Sequence, residues 1–499
     1  MQVFRRKAIT PKAESSESNG LPKTLGTWEL TTLGVGAIIG TGIFVLTGIA
    51  AARYAGPGVV LSFIFSGTAA ILAALVYAEM ASAVPLAGSA YTYAYVTLGE
   101  LVAWLVGWNL VLEYAVAAGA VAVGWSAYFS SLMTAGGVHL PAGFINSPLQ
   151  GGYINLPAFL IPLAITALLI RGIQSGALFN SLIVVIKLLV IGIFLFVGVT
   201  RVNPANWTPF LPFGLSGALK GAAIVFFAYI GFDAISTAAE EVKDPQRSLP
   251  RGILLALGLS TGLYIFVSLV LTGLVPYPSL NNAAPVAQAL LMAGVRWGSL
   301  LVSVGAVAGL ASVLFATIFA QSRIFFAMSR DGLIPPLLAR IHPKYQSPYV
   351  ITALIGLFVS LIGGFVPIGL IAELANIGTL TAFFTTSITV LLLERMIPKE
   401  QLSFRVPFSP YLPIASAAMS LLLAVNLPPV TWIRFIVWIG IGLLIYWLYG
   451  YRHSHLHEQA EQFYPAPALK KLPPGQEKND PGHARGEKDW DKMLKPRRG

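Results

Sequence analysis

The 499-residue sequence predicts an all-α integral membrane protein of 12 transmembrane helices, ten of them in two five-helix blocks of inverted topology, with helices 1 and 6 discontinuous. Three observations predict it. The composition is 56% hydrophobic and 11% charged, with a mean hydropathy of +0.74, whereas soluble domains carry about 25% charged residues. Apolar runs long enough to cross a bilayer recur along the chain. Glycines and a stranded carboxylate interrupt the first and the sixth of those runs. The net charge of +11 would suggest a nucleic-acid partner in a soluble protein, but 10 of the 32 basic and 7 of the 21 acidic residues lie from Arg452 onward. Cysteine is absent, which excludes a disulfide framework, iron–sulfur clusters and thiol chemistry.

Residues 1–28 carry Arg5, Arg6, Lys7, Lys12 and Lys23 among Ser, Glu and Pro, with no small-residue cleavage site. They are expected to form a cytoplasmic lead-in and not a signal peptide. Spans are expected at 29–53, 58–83, 96–132, 153–170, 178–200, 216–240, 252–275, 298–328, 349–366, 370–395, 411–427 and 431–450. Most come near the roughly 20 residues that cross about 30 Å of hydrocarbon, and the third and eighth are long enough to tilt or protrude. With the N-terminus inside, Arg53, Arg201, Lys220, Arg296 and Arg434 fall outside and Lys187 lies within a span. The other 26 basic residues are inside, the bias of cytoplasmic loops. Residues 29–200 then form the first repeat, 216–395 the second and 411–450 helices 11 and 12. Both termini are cytoplasmic in this reading. The tail 451–499, with Pro473, Pro474 and mixed charge, cannot bury an apolar face and is expected to be disordered. Its His453, His455 and His457 have a spacing that metals use, with a solvated flank as the simpler reading.

Span one holds Gly34, Gly36, Gly40 and Gly42 within nine residues at mid-membrane, each about 1 kcal/mol worse than alanine in a helix. Span six places Gly231 and Asp233 at similar depth. Small residues also permit close helix packing, so glycine alone leaves packing and breakage both open. Placement favours breakage. Each interrupted span opens a block of five, and an odd block makes the next begin from the opposite face, as an inverted repeat requires. Backbone of that kind persists at lipid depth only where it lines a protein cavity. A half-helix beginning at Thr41-Gly42 turns free amides and its positive end toward a carboxylate. The outer half of span six, ending near Phe227–Ile230, offers carbonyls to an ammonium. Together the two ends suit a zwitterion, and so a free α-amino acid above sugars or inorganic ions.

Ionisable groups inside spans are costly and functional by default. Lys187 lies too deep in span five for easy snorkelling, and reads either as a proton carrier standing in for a bound sodium ion or as a permanently paired structural lysine. Glu113 in span three is expected near the site, to pair with Lys187, to meet the substrate ammonium through water, or to satisfy a tyrosine. Asp233 is expected to cap the inner half-helix after the break. Glu79 and Glu373 are closer to the faces and expected to be solvated. Trp28, Trp104, Trp108, Trp207, Trp297, Trp432 and Trp438 suit interface anchoring. Phe227 and Phe232 at the second break read as a lid or as core.

Four ordered segments resemble the amino acid–polyamine–organocation transporters, and more narrowly the cationic amino acid transporter subgroup and its bacterial relatives. They are Gly36-Ala-Ile-Ile-Gly-Thr-Gly-Ile-Phe44, Pro85-Leu-Ala-Gly-Ser-Ala-Tyr-Thr-Tyr93, Phe226-Phe-Ala-Tyr-Ile-Gly-Phe-Asp233, and Ala239-Glu-Glu-Val-Lys-Asp-Pro245 with Pro250. The resemblance covers roughly 25–450. It implies the leucine-transporter fold of five-plus-five inverted repeats. It also implies that amides of Gly40, Thr41 and Gly42 hold the substrate carboxylate, and that carbonyls of Ile38, Phe227, Ala228 and Ile230 hold its amine. Phe227 takes the place of an aromatic gate, Lys187 that of a lysine in proton-coupled bacterial members, and Glu113 and Thr317 fall to the side-chain pocket.

A membrane enzyme would need convergent catalytic groups in the spans, and all six histidines lie in loops or the tail. A channel would show a pore ring or filter loop, and a major-facilitator carrier a longer central link than 241–251. The expected function is therefore secondary active import of L-amino acids across the cell membrane by alternating access. Proton coupling is expected, with neutral or cationic substrates. An amino acid exchanger is the alternative, and a channel-like protein the alternative of another class. The expected partners are an amino acid, protons and membrane lipids, without nucleic acid, metal or cofactor.

Overall fold

Away from water an apolar chain must pair its backbone groups internally, which makes its long runs helical. The computed structural model describes residues 5–7, 23–171, 173–282, 284–396 and 402–455, except for the side chains of 173–180 and 368–373. The regular elements among the described residues are helices, with one isolated bridge from Leu25 to Val242. Helix α1 (Thr27–Ile38) starts where the Gly26 amide donates to the Glu29 carboxylate at 2.9 Å. It stops at Ile39, whose backbone is extended (φ −78°, ψ 95°). The run resumes through π-helical turns around α2 (Thr47–Ala50) as far as Ala55. Gly56, at φ +61°, and Pro57 then turn it into α3 (Val59–Ala83).

Next come α4 (Ala90–Thr97), α5 (Glu100–Ala135), α6 (Leu156–Ile170) and α7 (Ile173–Val199). The expected third span began at 96, but Gly99, at φ +102°, separates α4 from α5 there. Helix α8 (Gly214–Val225) runs into a 3₁₀ turn at Phe226–Tyr229 and an extended Ile230 before α9 (Ala234–Thr237). The chain continues through α10 (Pro245–Leu274), α11 (Pro285–Met292), α12 (Arg296–Arg330), α13 (Tyr349–Phe365) and α14 (Ile368–Met396). It closes with α15 (Tyr411–Val425), α16 (Pro429–Ile445) and α17 (Tyr451–His453).

Two packed groups emerge from the contacts. Helices α1, α3, α8 and α10 pack on one another, and α5, α6, α12 and α13 form a second set. Helix α7 touches α1, α10 and α12 and so bridges the groups, while α14 lies against α5, α3 and α15. Eight helical stretches among the described residues are long and apolar enough to cross a membrane, and three shorter apolar helices, α6, α13 and α15, accompany them. His457 and most of the expected disordered tail lie outside the described residues, as does the side chain of Glu373. His453 stacks on Tyr449 with ring centroids 4.1 Å apart.

Candidate functional site

The two interrupted runs meet at their breaks, and glycine is what lets them meet. A Cβ on Gly42 would lie 2.2 Å from the Cβ of Ala228. One on Gly231, which also needs φ +114°, would lie 2.8 Å from the Cβ of Ala37. Each break therefore seats a glycine on the backbone of the other. Packing and breakage, alternatives in the sequence, are here one arrangement.

A closed cavity of about 10 Å³ sits at this junction, room for roughly one water molecule. Ile38, Gly40, Thr41, Gly42, Phe227 and Ile230 line it from the breaks, and Thr317 reaches it from α12. Ala117 and Val121 of α5 and Val313 of α12 complete an apolar wall. The first hydrogen bond after the span-one break runs from the Phe44 amide to the Gly40 carbonyl at 3.2 Å. The amides of Gly40, Thr41 and Gly42 precede it, where a helix has no acceptor of its own. The Thr41 hydroxyl is buried without a partner. The Thr317 hydroxyl donates to the Val313 carbonyl.

The carbonyls expected to take the amine are unequally engaged. Tyr264 of α10 lies 2.6 Å from the Ile38 carbonyl and 2.7 Å from that of Ala228, so its one hydroxyl clips the two breaks together. The Phe227 carbonyl accepts the Ile230 amide at 3.2 Å. Phe227 itself packs with Leu46, Leu112, Val116 and Ala375 in a small apolar cluster, while Phe232 is core, against Tyr77 and Phe383.

Lys187 is fully buried, and its ammonium donates to the Gly36 carbonyl (3.0 Å), the Ile39 carbonyl (2.8 Å) and the Ser312 hydroxyl (3.0 Å). Gly309 makes room for it, since a Cβ there would meet the lysine chain at 3.1 Å. Its three partners do not include Glu113. That carboxylate lies one helical turn before Ala117, does not line the closed cavity, and accepts the Thr379 hydroxyl at 2.5 Å with its other oxygen unpartnered.

Three expectations about individual residues require correction. Asp233 precedes α9 but makes no capping hydrogen bond; it accepts the Tyr114 hydroxyl at 2.5 Å instead. Glu79 is fully buried and accepts the Val406 amide at 2.6 Å, because the segment before α15 folds over it. Trp104 is buried too, donating to the Gly442 carbonyl at 2.8 Å, and Trp108 stacks on Trp438 at 4.4 Å. These indoles fasten α16 to α5, whereas Trp28 and Trp297 are exposed.

Beyond Asp233 a layer of ion pairs closes one end of the helix groups. Arg323 and Glu241, both buried, pair at 2.7 Å. Arg330 grips Glu240 through both terminal nitrogens, at 3.0 and 2.7 Å, and Lys7 meets Asp331 at 2.5 Å. Burial works against ionisation of Glu240, but the Arg330 guanidinium outweighs it and holds the carboxyl below its ordinary value of 4.5. Sequence reasoning missed Tyr264 and Ser312. Their only signal was a polar tip inside an apolar run, which most membrane helices carry.

Residues 25–449 match the family described as "Amino acid permease". The chain belongs to that family. It is 48% identical over 458 residues to the "Methylthioribose transporter" of Bacillus subtilis, covering 91% of this chain and 99% of the relative. It is 46% identical to the "Branched-chain amino acid permease BcaP" of the same organism, with 91% and 99% covered. The "Cationic amino acid transporter 4, vacuolar" of Arabidopsis thaliana is 39% identical over 76% of this chain and 64% of its own length. These relatives are transporters and permeases, which places the chain in the amino acid–polyamine–organocation superfamily as a multi-pass membrane transporter and not an enzyme.

Proposed function

We propose that this permease imports neutral L-amino acids by proton-coupled alternating access. One observation carries the reading: two interrupted helices interlock around a small cavity lined by the helix start at Gly40, Thr41 and Gly42 and by the break ends at Ile38, Phe227 and Ile230. Those ends match the carboxylate and the ammonium carried on one α-carbon. Gly40, Thr41 and Gly42 take the carboxylate; Ile38, Phe227, Ala228 and Ile230 take the amine, with Tyr264 yielding its carbonyls. Phe227 is the gate. The apolar wall of Ala117, Val121 and Val313 beside Thr317, with no charged group in it, supports a neutral side chain. Glu113, committed to Thr379, acts on the pocket from one turn away.

The twelve-span, five-plus-five architecture is supported by the same chain. The stretch Thr27–Ala83 turns back at Gly56–Gly58 and so crosses twice, which with the other long stretches and the three short helices makes twelve. Each packed helix group draws two members from 29–200 and two from 216–395. Both termini lie inside. Lys187 is the proton carrier. Its ammonium joins the end of α1 to α12 through Gly36, Ile39 and Ser312. Loss of the proton weakens that tie and lets the first group rock away from the second.

The methylthioribose relative favours a second reading, a neutral thioether sugar, which lacks both groups that the helix ends suit. Uptake of labelled leucine into proteoliposomes, competed by alanine, leucine, lysine, arginine and methylthioribose at two pH values, tests both. Saturable uptake competed by leucine and alanine and increased by an inward proton gradient is expected. Failure of any amino acid to saturate, with methylthioribose transported, overturns the proposal for the second reading. Flux linear in concentration makes the protein channel-like.

A further inference from the structure

We infer that the Arg53 end of the first interrupted helix forms a second, peripheral docking site that receives the substrate's α-carboxylate before it reaches the closed cavity. The inference rests on the amino acid reading above. A vestibule of about 230 Å³ lies between Val45, Ile49 and Arg53 of the first run and Val123 and Ala127 of α5, with Asn281 at its edge. Arg53 is the one charged side chain among the described residues that line it. The Arg53 Nε donates to the Asn281 amide oxygen at 3.0 Å, which holds the guanidinium in place. No carboxylate among the described residues pairs with it.

The surrounding connecting segments are poor in carboxylates. The connecting segments 54–58, 136–155, 200–213, 275–295, 366–367 and 426–428 contain no Asp or Glu, and their ionisable side chains with a basic form are Arg201 and His139; Glu373, early in α14, is the acidic residue nearest to them, and its side chain lies outside the described residues. An arriving zwitterion brings a carboxylate to a fork that no described carboxylate occupies and that binds carboxylates in two-point fashion. Clefts of one sign also concentrate ligands of the other, an effect that salt screens.

The vestibule leads toward the cavity. Its wall includes Gly124, where a Cβ would stand 3.2 Å from Thr41, and Thr41 lines the cavity with its hydroxyl buried and unpartnered. One layer of contact thus separates the inner end of the vestibule, at Gly124, from the amides that receive the carboxylate next. Arg53 lies twelve residues beyond Thr41, about 18 Å along a helix. The same positive charge repels lysine and arginine substrates, so Arg53 also sets specificity toward neutral side chains.

The test is the initial rate of labelled leucine uptake against concentration, at low and high salt, for the full chain and for Arg53→Gln, Arg53→Glu and Asn281→Ala. Arg53→Gln is expected to raise KM about two- to fivefold, the range of a solvent-exposed charge pair, with the maximal rate unchanged. The KM of the unaltered protein should rise with salt and that of Arg53→Gln should not. Arg53→Glu should make lysine a better competitor, and Asn281→Ala should shift KM in the same direction by less. An Arg53→Gln protein with unaltered KM and unaltered salt dependence overturns the docking site and leaves the amino acid function standing. Absence of saturable leucine uptake by the unaltered protein overturns both.

Discussion

On the Arg330 side of the closed cavity stand the Tyr114–Asp233 hydrogen bond, the buried Arg323–Glu241 pair and the partly exposed Arg330–Glu240 and Lys7–Asp331 pairs. On the Arg53 side, beneath an open vestibule, stand the contact of Thr41 with Gly124 and the apolar packing of Phe227 on Leu46 and Leu112, which Ile49 of the vestibule joins. The two barriers differ in kind. Buried ion pairs are costly to separate, because each partner is left desolvated, whereas small apolar contacts can slide apart with little electrostatic penalty. In the proposed transport cycle the Arg330 side is the lock and the Arg53 side the thinner door.

The largest expected effect comes from breaking the lock at its most buried point. Arg323→Met leaves Glu241 buried and unpaired, and should cost about 3–5 kcal/mol of stability, measured as thermal unfolding in detergent. The double variant Arg323→Met/Glu241→Leu should recover most of it. Recovery that fails would mean that the pair does more than satisfy itself. At the hinge between the two barriers, Gly42→Ala forces a methyl to within 2.2 Å of Ala228. It should lower saturable uptake by about tenfold or more, since overpacking of a tight contact costs about 1–3 kcal/mol, with stability less affected than by Arg323→Met.

A smaller effect is expected at the door. Gly124→Ala brings a methyl against Thr41 at 3.2 Å, a contact that a small shift relieves. It should slow uptake about two- to fivefold, on the order of 1 kcal/mol, without altering the melting temperature. The smallest effect concerns pH. Because Glu240 ionises below its ordinary value of 4.5 in the folded protein, its stabilising contribution is present above that value and lost as pH falls through the lower, folded one. The pH profile of uptake between about 5 and 8 should therefore be the same in Glu240→Gln as in the unaltered protein. A shifted profile would place a titrating group in the lock itself.

Several parts of this arrangement were legible in the sequence, for identifiable reasons. Gly42 and Gly231 stood out through placement, a glycine cluster in one run and a glycine beside a carboxylate in the other, each run opening a block of five spans. A lysine in an apolar run marks Lys187 because burial demands acceptors. Reciprocity was not legible: that Gly42 seats on Ala228 while Gly231 seats on Ala37 depends on how two runs cross. Nor was Tyr264, whose hydroxyl bridges two carbonyls nearly two hundred residues apart in the chain. Glu79 and Trp104 misled because position near a span end suggests solvent. The segment around Val406 and helix α16 cover them from far along the sequence. Asp233 looked like a helix cap, but Tyr114 claims it.

The proposed transport cycle depends on Lys187 as the carrier of the coupling proton. The direct measurement is leucine accumulation by Lys187→Ala in proteoliposomes under an imposed inward proton gradient, beside counterflow exchange with no gradient. Loss of gradient-driven accumulation with counterflow retained is the result expected. Accumulation that still follows the gradient in Lys187→Ala would contradict that role.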